Sequence, residues 1–279
     1  MAKKPIVAIL YDFDKTLCSE DMQNYSFIPA LGMTPEEFWG YVGEFSDKTG
    51  VEKILSYMYC MVEMSKKKGI HLTREWLENL GKDIKFYNGV TTWFKRINDY
   101  GKSQGIHVEH YLVSSGTKEI IDGCAIAKEF KAVYGCEFLF NENSEPIWPK
   151  NTINFTAKTQ YLFRISKGVL DANDDVKLNR KTQNRRIPYR NIIYLGDGMT
   201  DIPIMTLVKE NGGKSIAVYA RGKKEKVMPL YEENRVNFVC RADYGAGNEL
   251  EKIMKLIINQ ISVTEALLKV ENRQAENKQ

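Results

Sequence analysis

Four aspartates stand in two short clusters: Asp12 and Asp14 in the stretch Tyr11-Asp12-Phe13-Asp14-Lys15-Thr16-Leu17, and Asp197 and Asp201 in Gly196-Asp197-Gly198-Met199-Thr200-Asp201. Each cluster directly follows an apolar run, Ile6–Tyr11 in the first case and Ile192–Leu195 in the second. Residues two apart in a strand point the same way, so Asp12 and Asp14 begin on one face until the chain turns. If both runs are central parallel strands, four acids converge at one end of a sheet. Carboxylates crowded into a low-dielectric cleft repel one another unless their pKa values shift or a cation relieves them. A hard divalent cation is the simplest relief, and magnesium suits an open cluster with room for water and a phosphate oxygen.

Two further residues have the types that phosphate chemistry needs. Ser114 ends the apolar run Tyr111–Val113 and precedes Ser115, Gly116 and Thr117, so its hydroxyl and nearby backbone N–H groups suit an anion. Lys158 opens a helical stretch, Lys158–Lys167, for which Thr156 is the expected N-cap. A cation there offsets repulsion between an attacking carboxylate and a dianionic phosphate. Singly, a strand-end serine and a helix lysine are ordinary cap and surface residues; the order of the four motifs carries the argument.

That order resembles the haloacid dehalogenase superfamily of phosphohydrolases, and within it the phosphoserine-phosphatase-like branch with a C1-type helical cap. The likeness rests on Asp12–Thr16, on Ser114 after Tyr-Leu-Val, on Lys158 in Thr-Ala-Lys-Thr-Gln-Tyr-Leu, and on Gly196–Asp201. It implies a Rossmann-like core, dependence on Mg²⁺, and hydrolysis of a phosphomonoester through an aspartyl-phosphate. Carried over, Asp12 is the nucleophile, and Asp14 is the general acid for the leaving alcohol and then the base for water. Ser114 and Lys158 hold the transferring oxygens. The metal falls to Asp12, the backbone carbonyl of Asp14, and Asp197, with Asp201 supporting a metal-bound water or Lys158. The branch's usual Ser-Gly-Gly reads Ser114-Ser115-Gly116 here, leaving the oxygen-binding residue open between Ser114 and Ser115, with Ser114 preferred because it directly follows the apolar run. A substrate-contacting glutamate of the branch falls near Glu20 and Asp21, which are candidates for specificity. Mutases and phosphotransferases of the superfamily share these motifs, so transfer to an acceptor other than water is the alternative.

The elements that must position these residues are legible as short apolar runs alternating with helical patterns. Ile6–Tyr11, His107–Val113, Cys136–Phe140, Ile192–Leu195, Ser215–Tyr219 and Val236–Cys240 read as buried strands, and the alternation predicts an α/β fold with a parallel sheet covered on both faces. Residues 17–87 contain no convincing buried strand and read as an inserted helical cap, with Thr34 capping one helix and Val51–Lys68 forming another. The expected organisation is a core of residues 1–16 and 88–262, a cap of residues 17–87, and a C-terminal tail of residues 263–279 that is a short amphipathic helix fading into a frayed polar end. Cys136–Pro149 reads as a hairpin whose prolines favour a sheet edge.

Composition narrows the function. The chain has 279 residues, 43% of them hydrophobic, and no apolar run long enough for a membrane helix. Its five cysteines form no Cys-x-x-Cys pair, which argues against a disulfide framework or a zinc site and for reduced thiols in the cytoplasm. His71, His107 and His110 lack ligand-type neighbours and read as structural or surface residues, and Trp39, Trp93 and Trp148 as packing residues. A net charge of +4 is too small to imply nucleic acid. The exception is the segment 177–190, whose lysines and arginines have no acid among them. It reads as a solvated face, with a non-catalytic module that binds a phospho-ligand or nucleic acid as the rival. The expected partner is a small phosphorylated metabolite, and nothing in the sequence sets an oligomeric state.

Overall fold

A computed structural model of the chain describes residues 4–181 and 185–277. Seven strands form one sheet: β1 (Ile6–Tyr11), β2 (His107–Thr117), β3 (Ala132–Phe140), β4 (Pro146–Asn151), β5 (Ile192–Gly196), β6 (Lys214–Tyr219) and β7 (Phe238–Arg241). Their order is β4-β3-β2-β1-β5-β6-β7. All neighbours are parallel except β3 and β4, which make the expected edge hairpin. β1 and β5 are buried along their whole length, as two-sided parallel strands must be. From β1 the chain moves outward through β2 and β3, then returns to the other flank of β1 with β5. Such a reversal is where α/β sheets bind ligands at their carboxyl ends.

Between β1 and β2 lie α1 (Phe27–Ala30), α2 (Pro35–Thr49), α3 (Lys53–Lys67), α4 (Arg74–Leu80) and α5 (Val90–Ser103). Thr34 caps α2 in a full capping box with Glu37, and α2 ends at Gly50 in the left-handed region, both as the sequence pattern requires. The ends of the helical insertion meet in a short antiparallel stem, where Cys18 bridges to Phe86 and the Tyr87 N–H donates to the Leu17 carbonyl. α6 (Lys118–Asp122) follows β2, and α4 lies so close against it that a Cβ on Gly123 would sit 1.7 Å from the Glu78 carbonyl oxygen. α4 is thus fixed to the core, while α2 and α3 pack on each other.

The remaining helices are α7 (Lys158–Lys167), α8 (Asp175–Asn179), α9 (Ile202–Glu210), α10 (Met228–Glu232) and α11 (Glu249–Glu276). α11 runs unbroken past residue 262, because its sequence has no Gly or Pro and Glu265 is held by Arg190 and Asn191. The N-cap of α7 is Ala157 instead of Thr156, since the Asn154 carboxamide takes the Ala157 N–H and the Thr156 hydroxyl. Trp93 is buried, but Trp148 on the edge strand is 71% exposed, so packing is not its role. His110 is a core residue bonded to Tyr11 and Asn98, and burial drives its pKa down to about 3.

Three of the six cations in the basic segment pair with acids, two of them distant in sequence. Arg186 makes a two-pronged pair with the buried Glu109, Arg190 pairs with Glu265, Lys177 pairs with Asp174, and Arg185 lies over the Tyr189 ring. Residues 182–184 of this segment lie outside the described residues. Among the described residues no helix is long and apolar enough to cross a membrane.

Candidate active site

Register brings the motifs to one level. Tyr11 pairs with Leu112 on one side and Leu195 on the other, so Asp12, Ser114 and Asp197 all follow within two residues of the same line across the sheet. The Asp12 N–H donates to the Leu195 carbonyl at 2.9 Å, the last backbone tie before the chain turns. The N–H groups of Thr16 and Leu17 then both donate to the Phe13 carbonyl, and Lys15 takes a positive φ of 57°. A non-glycine residue in that region stores strain, which concentrates at sites that need a fixed geometry. The Lys15 ammonium pairs with Asp21 at 2.6 Å.

Asp12, Asp197 and Asp201 each present a carboxylate oxygen within 4.8 Å of the others. Lys158 is buried and donates to Asp12 and to Asp201, 2.7 Å each. A cation at the first residue of α7 opposes the helix dipole, so the two carboxylates must compensate it. The Tyr194 hydroxyl also donates to Asp201 at 2.6 Å. The second Asp201 oxygen is buried without a partner and packs onto Gly196, where a Cβ would come within 2.2 Å of it. Burial raises the pKa of Asp12, Lys158 partly opposes this, and Asp201 adds to it. Asp197 is pushed up by burial and by Asp12 and Asp201. Lys158 is held above its ordinary value because Asp12 and Asp201 outweigh the effect of burial. Two carboxylates therefore share one ammonium beside a third, and a divalent cation on Asp12 and Asp197 would relieve the remaining repulsion.

Asp14 stands slightly outside this cluster. One of its oxygens accepts the Met22 N–H at 2.8 Å, and burial, with Asp21 and Asp12 nearby, raises its pKa well above the carboxylate range. Such a group keeps a proton to donate. The serine motif lies on a bulge: three residues, Ser114 to Gly116, oppose the single Gly135 between the Val113–Tyr134 and Thr117–Cys136 pairs. The Ser114 hydroxyl accepts the Gly116 N–H at 3.0 Å, while the Ser115 hydroxyl is buried without a partner.

A cavity of 450 Å³ opens over Asp14, Ser115 and Gly116, roofed by Trp39 and Tyr57 of α2 and α3, with Asp21 in its wall. Trp39, which the sequence alone leaves as a packing residue, is thus a cavity residue, its indole N–H held by Asn24. Glu20 is not in this cavity. It lines a separate cleft with Asp197 and Lys15. The roof residues carry no sequence signal of their own, because only helix packing brings them over Asp14.

A family profile for haloacid dehalogenase-like hydrolases matches residues 9–206, a span that contains every motif just described. The chain belongs to that family. An uncharacterized protein of Borreliella burgdorferi is 29% identical, covering 89% of this chain and 95% of its own length. Among solved structures, a HAD family hydrolase from Salmonella enterica serovar Typhi superposes with a TM-score of 0.57 at 18% identity, over 85% of this chain and 67% of its own. A substrate-bound phosphoserine phosphatase superposes with a TM-score of 0.56 at 17% identity, over 91% of this chain and 99% of its own. The haloacid dehalogenase fold therefore extends beyond the matched motifs to nearly the whole chain.

Proposed function

We propose that this haloacid dehalogenase-like hydrolase is a Mg²⁺-dependent phosphomonoesterase acting on a small phosphorylated metabolite, with Asp12 as nucleophile. The observation that carries this reading is the buried Lys158 ammonium shared between Asp12 and Asp201 beside Asp197. Lys158 holds one Asp12 oxygen and leaves the other to attack phosphorus. Asp12 forms the bond to phosphorus as the ester P–O bond breaks, and the departing alkoxide takes the proton that Asp14 has kept. Asp14, now ionised, removes a proton from the water that cleaves the aspartyl-phosphate and so regenerates Asp12. Ser114, or the unpartnered Ser115 hydroxyl, together with Lys158, donates to the transferring oxygens. Such fixed donors act where charge develops and need no reorganisation.

The acidic cluster fits a magnesium ion, since two buried carboxylates share a single ammonium beside the half-buried Asp197 and one Asp201 oxygen is unpartnered. Asp12, Asp197 and the Asp14 carbonyl would hold the ion, with Asp201 behind them, and it would offset negative charge on the phosphoryl group. Residues 17–87 act as a cap whose α2 and α3 exclude water and select the leaving group. Five buried free cysteines suit a cytoplasmic setting. The internal pairing of Arg186, Arg190 and Lys177 disfavours a nucleic-acid module. The test is phosphate release from a panel of phosphorylated metabolites, with and without Mg²⁺, for the native protein and Asp12→Asn. Release that requires both Mg²⁺ and Asp12 is expected; wild-type turnover by Asp12→Asn would overturn the mechanism.

A further inference from the structure

The loop after β6 carries Arg221, Lys223, Lys224 and Lys226 against one acid, Glu225. Among the described residues none of these four cations lies within ion-pair distance of a carboxylate, whereas three of the six in segment 177–190 are paired. Gly222, with φ of 76°, makes the turn, and the Lys223 N–H closes it on the Ala220 carbonyl. The turn sits at the carboxyl end of β6, next to β5, which Asp197 directly follows. Between this loop and the stem of the insertion lies a cleft of 240 Å³, bounded by Lys15, Glu20, Tyr87, Asp197, Lys223 and Lys226.

Among the described residues the cleft's exposed Lys223 and Lys226 have no carboxylate partner, and its walls hold one buried polar group that is unpartnered. The Lys15 ammonium is taken by Asp21, and Asp197 belongs to the acidic cluster. Glu20 can answer one of the two remaining lysines, which leaves the other, with Arg221 and Lys224 on the same loop behind it. The Tyr87 hydroxyl is buried and has no hydrogen-bond partner. Ammonium groups and an unpartnered phenol at the edge of a catalytic centre match a dianionic group. The cleft and the cap cavity share none of their bounding residues and adjoin at the Lys15–Asp21 ion pair.

We propose that this cleft is a second anion subsite and that the preferred substrate is a phosphomonoester bearing a second phosphate, of the sugar or nucleoside bisphosphate class. The inference rests on the phosphomonoesterase reading. Lys223 and Lys226 hold the phosphate that is not cleaved, while the other is presented to Asp12. Selectivity then comes from the β6 loop as well as from the cap.

The test measures binding by calorimetry to Asp12→Asn protein in Mg²⁺, using fructose 1,6-bisphosphate against fructose 6-phosphate, and adenosine 3′,5′-bisphosphate against adenosine 5′-monophosphate. At least one bisphosphate is expected to bind tenfold or more tightly than its monophosphate. Adding Lys223→Ala and Lys226→Ala should reduce that ratio to within threefold. Adding Lys102→Ala and Lys128→Ala instead makes the same change in net charge just before β2 and β3, at the opposite edge of the sheet, and should preserve the ratio. Ratios near one for both pairs, an unchanged ratio without Lys223 and Lys226, or an equal loss in the Lys102 and Lys128 variant would overturn the subsite. Phosphate release by the native protein is measured on the same compounds. A binding preference without any release would overturn the phosphomonoesterase reading and leave the subsite standing; release without a preference would do the reverse.

Discussion

Replacing Lys158 with methionine keeps most of the apolar stem but removes the only ammonium that Asp12 and Asp201 share, each at 2.7 Å. Both carboxylates and the lysine are almost wholly out of solvent. Removing one partner from a buried pair leaves an uncompensated charge, at a cost of about 3–5 kcal/mol. Proton uptake by the carboxylates sets the limit on this cost. Burial already raises Asp12 and Asp197, and losing the cation raises Asp12 further. An acid whose folded-state pKa lies above its unfolded value weakens the fold as pH rises between the two. Lys158→Met should therefore be about 3–5 kcal/mol less stable than the native protein in metal-free urea unfolding at pH 8. The deficit should shrink by about 1 kcal/mol for each unit the pH is lowered, until the carboxylates are protonated. Turnover should fall by about 10²–10³, the usual cost of losing a donor aimed at transition-state charge. A stability loss below about 1 kcal/mol at pH 8 with no dependence on pH would refute the account of Lys158 as the counter-charge of the cluster.

Asp14→Asn should slow release of a simple alkyl alcohol by about 10²–10⁴ and affect p-nitrophenol much less, because the better leaving group needs no proton; rates for the two esters check this. Glu109 is held down to about 2: burial opposes the shift, but Arg186, Lys131 and Tyr111 outweigh it. Its contribution is complete above the unfolded value near 4.5 and disappears as pH falls toward 2. Glu109→Gln should accordingly cost about 1–2 kcal/mol at pH 7, a figure discounted for solvent around the pair, and almost nothing at pH 2 in urea titrations. Glu119 has the opposite sign, since burial raises it to about 7. It weakens the fold as pH rises from about 4.5 to 7, so Glu119→Gln should gain about 1–3 kcal/mol at pH 8 and remove that slope. Chemical unfolding across this pH range measures both.

Much of the site was legible because its signals are local. Asp12 and Asp14 are two residues apart at the end of an apolar run, Asp197 and Asp201 share one turn, and Ser114 follows a third run. Strand patterning depends on which residues can be buried on both faces, so β1, β2, β5 and β6 could be recognised without coordinates. Capping was legible where a side chain acts on its own helix, as at Thr34, and not at α7, where Asn154 reaches in from before the helix. The unbroken length of α11 was not legible for a related reason. Nothing local marks Glu265 as an anchor, because its partners Arg190 and Asn191 lie far back in the chain.

The sequence by itself determined the strand-helix alternation, the identity and order of the chemical groups, and the presence of a helical insertion, all set by burial patterns and neighbours within a few residues. Only the tertiary structure decided which charges meet. It placed Lys158 between Asp12 and Asp201, put Arg186 onto Glu109 and so neutralised part of a segment that looks cationic in isolation, and brought Trp39 over Asp14. It also separated Glu20 from its neighbour Asp21, into different cavities. Electrostatic pairing acts through space and depends on burial, and neither distance nor dielectric is set by position along the chain.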